Sequence, residues 1–84
     1  MEINGYIIGS EIEELMTARG IKQVDVERLT ASPNTKHFIS VDGTLGVAKC
    51  YMGVNTYYLE YRPEGNQKVV TDAYSHWIAV ESDT

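Results

Sequence analysis

His37-Phe38-Ile39-Ser40-Val41-Asp42-Gly43-Thr44-Leu45-Gly46-Val47-Ala48 sets Asp42-Gly43 between two runs of β-favouring residues. Such a two-residue connection is the strongest short-range hairpin signal, because a type I′ turn asks for positive φ at its central residues and twists as the strands do. The stretch therefore predicts a pair of antiparallel strands and makes the second half of the chain a sheet. Further on, Thr56 to Arg62 alternates Tyr57, Leu59 and Tyr61 with Tyr58, Glu60 and Arg62, the period-2 pattern of a strand with two unlike faces. Pro63-Glu64-Gly65-Asn66 then turns the chain into Lys68-Val69-Val70-Thr71, which predicts a second hairpin. From Asp72 to Glu81 the spacing of Tyr74, Trp77, Ile78 and Glu81 suits a short helix, and that of Tyr74, Ile78 and Val80 suits a strand. The Val, Ile, Tyr and Trp content favours the strand, with Ser82 to Thr84 fraying beyond it.

Before the hairpin, Ser10-Glu11-Ile12-Glu13 has the spacing of a capping box. It predicts a helix from Ser10 to Arg19, with Glu11, Glu13 and Glu14 at the positive end of the dipole, Arg19 at the negative end and Gly20 as the left-handed stop. Ile12, Leu15 and Met16 form one narrow apolar stripe. Ile3, Tyr6, Ile7 and Ile8 make a short β-favouring run before this helix. After it, Val24 and Val26 alternate with Asp25 and Glu27, predicting a half-exposed strand. Ala31 to Thr35 reads as a loop. The expected fold is α+β: one amphipathic helix packed on a curved antiparallel β-sheet of about four to six strands. Phe38, Leu45, Val47, Leu59, Val70 and Ile78 are expected to meet the helix and close the core.

A chain of 84 residues has room for one core, so residues 1–84 are expected to form a single compact domain. Its 43 % hydrophobic and 23 % charged content belongs to a globular protein. One cysteine, Cys50, excludes an internal disulfide. No segment approaches the ~20 apolar residues that span a bilayer, and no basic stretch followed by an apolar run stands at the N-terminus. The expected location is cytoplasmic. Twelve acidic residues against seven basic ones give a net charge of −5, which opposes direct contact with nucleic acid or anionic lipid and suits a basic protein partner.

Catalytic motifs are hard to assemble from these residues. Cys50, His37 and His76 stand far apart with no second ligand at pair spacing, so neither a metal nor another cofactor is expected. Cys50 reads as a small inward-facing strand residue. No glycine-flanked nucleophile and no P-loop or dinucleotide pattern occurs, and Gly43, Gly46 and Gly53 read as turn or bulge glycines. Glu11, Glu13 and Glu14 serve the helix N-terminus rather than acid–base catalysis.

Residues 12 to 43 resemble the helix-turn-helix of Xre or Cro-type phage repressors. The likeness rests on an amphipathic first helix, Arg19-Gly20-Ile21-Lys22-Gln23, then Val24 to Leu29, with Phe38-Ile39-Ser40 and Asp42-Gly43 near the close of a recognition helix. It departs from that pattern at Glu27, where the family has a small residue. The resemblance implies a dimeric DNA-binding regulator, which is the alternative function.

The leading expectation is different. Six tyrosines and one tryptophan exceed what a small core holds with every polar tip satisfied, and these residues anchor interfaces. The chain is expected to be a non-enzymatic binding protein that occludes, or mimics nucleic acid at, a basic site of a larger protein. This is the general character of phage and mobile-element inhibitors such as anti-CRISPR proteins. The candidate partner-binding residues are Glu11, Glu13, Glu14, Asp25, Glu27, Tyr58 and Glu60.

Overall fold

Asn4 and Gly5, at φ 52° and 87°, fold the first residues into a tight antiparallel pair, β1 (Glu2–Ile3) and β2 (Tyr6–Ile7). Helix α1 (Ser10–Ala18) follows at once. Its N-cap is Gly9, with no side-chain cap, so the expected capping box at Ser10 is not formed. Ser10 already lies inside the helix, and the Glu13 carboxylate turns 3.5 Å from the Met1 amino group instead. The predicted stop holds: Gly20 takes φ 74° while its N–H donates to Thr17 and that of Ile21 donates to Met16. This is the paired bonding of a left-handed helix end.

Val24 to Glu27 is helix, not strand, and the described residues form two helices where one was expected. Helix α2 (Gln23–Ala31) starts where Asp25 Oδ2 accepts from the Lys22 N–H at 2.9 Å. Val26 and Leu29, three apart, are buried, whereas Val24 is 43 % exposed. A helix period thus overrides a four-residue alternation, because only this spacing turns both large residues toward the core.

The remaining strands are β3 (Lys36–Ile39), β4 (Gly46–Met52), β5 (Asn55–Glu64) and β6 (Gln67–Trp77). The structure, a computed structural model, describes residues 1–77; the expectations for Ile78, Val80, Glu81 and Ser82 to Thr84 lie outside the described residues. The six-stranded sheet runs β1-β2-β6-β5-β4-β3. It is mixed, not purely antiparallel, because β2 pairs parallel with β6 through Tyr6↔Lys68 and Ile7↔Val69. From Val70 onward α1 takes over beside β6. There Arg19 donates to the Ala73 carbonyl at 2.8 Å and to Asp72 at 2.9 Å.

Both predicted hairpins form. The Asp42-Gly43 one is wider than expected, since Ile39 pairs with Gly46 and residues 40–45 connect the strands. Gly43 has φ 76° but Asp42 does not share the positive φ that a type I′ turn needs. Asp42 instead accepts from Ser40 Oγ, Thr44 N–H and Thr44 Oγ1 at 2.7, 3.1 and 2.8 Å.

One face of β4, β5 and β6 meets the helices. Ala48, Cys50 and Ala73 are small and fully or almost fully buried, and Leu59, Tyr61 and Val70 fill the space around them against Met16, Ile21, Val26 and Leu29. Gly46 is a packing glycine rather than a turn or bulge, since a Cβ there would collide with the Tyr61 ring. Phe38 and Leu45, expected in the core with Val47, are 54 % and 42 % exposed, because the strand alternation turns all three to the face of the sheet away from the helices. Among the described residues no helix is long and apolar enough to cross a membrane.

Candidate functional site

Directly opposed residues of an antiparallel sheet share a face, so the register shows what lies on the side away from the helices. Phe38, Val47, Glu60 and Asp72 form one row, and Lys36, Lys49, Tyr58 and Tyr74 the next. Tyr51, Thr56 and His76 make a third. No element among the described residues packs over these rows.

The middle row is organised. Tyr58 and Tyr74 stack with ring centres 4.8 Å apart and planes 19° from parallel. The Lys49 ammonium sits 5.7 Å from the centre of the Tyr58 ring, within range of a cation–π attraction. Tyr74 donates its hydroxyl to Glu60 Oε2 at 2.9 Å. Burial, then that hydrogen bond and the charges of Glu60 and Asp72, push the Tyr74 hydroxyl up to about 12, so it stays a donor at neutral pH. The neighbouring rows leave Phe38 and Tyr51 open, at 54 % and 61 % exposure. The result is a half-buried aromatic strip with charged ends, held in one geometry by its own contacts. Rigid rings of this kind offer contact area at little entropic cost.

The seven candidate residues fall on two sides of the molecule. Tyr58 and Glu60 belong to this strip, whereas Glu11, Glu13, Glu14, Asp25 and Glu27 lie on the helices. Three of those acids have local partners: Glu13 the N-terminus, Asp25 the Lys22 N–H and Glu27 the Gln23 amide at 3.1 Å. Asp25 and Glu27, two apart on a helix, point away from each other rather than along one strand side. Glu11 and Glu14 remain exposed. Sequence reasoning missed Lys49 and Tyr74 as members of the strip, because only the strand register brings them beside Tyr58.

Cys50 is buried as expected, and His37 and His76 are exposed on different strands. No group of three potential metal ligands occurs among the described residues. Where the resemblance to repressors implies a recognition helix, the chain forms β3 and the hairpin turn. No family model, no curated protein and no solved structure matches the chain.

Proposed function

We propose that this chain is a small non-enzymatic binding protein that docks the helix-free face of its sheet onto a basic site of a larger protein and occludes it. The observation that carries this reading is the stacked Tyr58–Tyr74 pair, with Phe38 and Tyr51 open beside it, on a face that nothing among the described residues covers. On this face Glu60 and Asp72 in one row stand beside Lys36 and Lys49 in the next, so the attraction comes from the molecule as a whole, whose net charge of −5 steers it toward a positive surface. Inhibition of a nucleic-acid enzyme, in the manner of anti-CRISPR proteins, is the form of occlusion this charge suits. The exposed helix acids Glu11 and Glu14 act through the field rather than by contact. Tyr58→Ala is expected to weaken partner binding by roughly 30-fold or more, as removal of an interface anchor does. Reversing Glu11 and Glu14 to Lys is expected to slow association alone, with a dependence on salt. Binding kinetics against a partner captured from the native host measure both, and a partner indifferent to Tyr58→Ala overturns the reading.

A second reading keeps the α1–α2 pair as a helix-turn-helix of a DNA-binding regulator. The four-residue connection Arg19 to Lys22 favours it; since β3 stands where the repressor resemblance sets its recognition helix, α2 would have to enter the groove instead. Retention of duplex DNA at physiological salt supports this reading; its absence leaves the sheet face.

A further inference from the structure

Strand β3 ends the sheet, and every one of its residues is exposed. The first rung of its ladder is the Ser40 N–H donating to the Leu45 carbonyl at 2.8 Å. Hydrogen-bonded and non-bonded pairs alternate along an antiparallel ladder. The N–H and C=O of Phe38 therefore point toward β4, while those of His37 and Ile39 point outward from the edge. Natural edges are blunted by short strands, lysines, bulges, inward charges or covering loops, and of these β3 has its shortness and Lys36 at its start. This one carries Phe38 on one face and Ile39 on the other, both 54 % exposed, with Val41 and Leu45 open in the adjoining turn.

We propose that two copies of this chain pair antiparallel through β3, about a twofold axis at Phe38, into one continuous sheet. In that register His37 lies opposite Ile39 of the partner subunit, and the two outward-pointing residues exchange both their N–H···O bonds. Phe38 meets Phe38 of the partner subunit at a non-bonded position, where side chains come closest. Lys36 falls opposite Ser40 of the partner subunit, within reach of Asp42 of the partner subunit. The three hydrogen bonds Asp42 accepts from Ser40 and Thr44 fix its carboxylate in place. The edge is thus complementary to itself in backbone, in apolar surface and in charge. Centring the pair on His37 instead would set Ile39 against Thr35, outside the strand, and Phe38 against a lysine. Pairing through β3 is independent of which partner the sheet face binds, and it would lay two aromatic strips side by side.

Sedimentation of the intact chain tests this. The wild type is expected to rise with concentration from 9.4 kDa toward twice that mass. Ile39→Pro removes an outward N–H without touching the β4 ladder, and is expected to raise the dissociation constant by roughly tenfold or more. Phe38→Cys provides a readout that does not depend on proline being tolerated. Across the axis two thiols at this position are close enough to form a disulfide in oxidised glutathione, whereas Val41→Cys, at a position more exposed still, is not. Cys50 is buried and does not compete. A wild type that stays at 9.4 kDa at every concentration overturns the proposal. So does cross-linking of Val41→Cys as fast as Phe38→Cys.

Discussion

On the helix side of the sheet Tyr6 and Tyr61 meet edge to face, 5.4 Å apart and 88° between planes, and are only 3 % and 2 % exposed. On the other side Tyr58 and Tyr74 lie nearly flat against each other at 4.8 Å and keep part of their surface in water. Each pair has a lysine near one ring, Lys68 over Tyr6 and Lys49 over Tyr58, so a cation does not distinguish them. What differs is the cover. The inner pair is closed over by the rest of the core, and Gly46 gives up its side chain to admit the Tyr61 ring. Among the described residues the outer pair has only itself, Lys49 and Glu60. The same residue type on one strand thus serves cohesion on the inner face and, in the proposed function, recognition on the outer one.

The largest expected contrast comes from truncating one ring of each pair. Tyr61→Ala is expected to cost about 3–5 kcal/mol, as loss of a buried aromatic does. Tyr58→Ala should cost less, about 0.5–1.5 kcal/mol for the lost stacking together with the smaller burial of a half-exposed ring. Denaturant unfolding measures both, and equal losses would erase the distinction between the faces. Alkaline pH gives a finer view. Burial, and then the neighbouring Tyr61, push Tyr6 from the ordinary 10.0 up to about 12, and Tyr74 on the other face is raised to about the same value. The unfolded chain gives up these protons first, so stability is whole below about pH 10 and falls as pH climbs to about 12. Tyr6→Phe and Tyr74→Phe should each remove part of that decline, and their relative shares rank the two environments. The smallest effect belongs to Ser10→Ala. Ser10 caps nothing, so the melting temperature should stay within the change that about 0.5 kcal/mol produces.

Much of this arrangement is legible in the residues. The alternation from Tyr57 to Arg62 separates the inner from the outer set, Gly20 marks the helix stop, and the two hairpins announce themselves by their turn residues. Helix α2 escapes because Val24, Asp25, Val26 and Glu27 fit a strand over four positions; the deciding Val26–Leu29 spacing needs a longer window. Asp25, reaching back three residues to the Lys22 N–H, is the missed start signal. The partners of Tyr58 escape for another reason. Lys49 and Tyr74 join it through strand pairing, and the parallel contact of β2 with β6 has no local signature at all.

That parallel contact governs the order in which the molecule can assemble. Tyr6 waits for Lys68, some 60 residues later, and at roughly 5–20 residues per second a ribosome needs several seconds to supply it. Meanwhile α1 and α2 emerge with no sheet beneath them, their apolar sides open to chaperones. Helices of nine residues are too short to persist alone. The nascent chain should therefore stay loose until β6 is made, and then fold as a unit, at the slow pace that long-range strand pairing imposes.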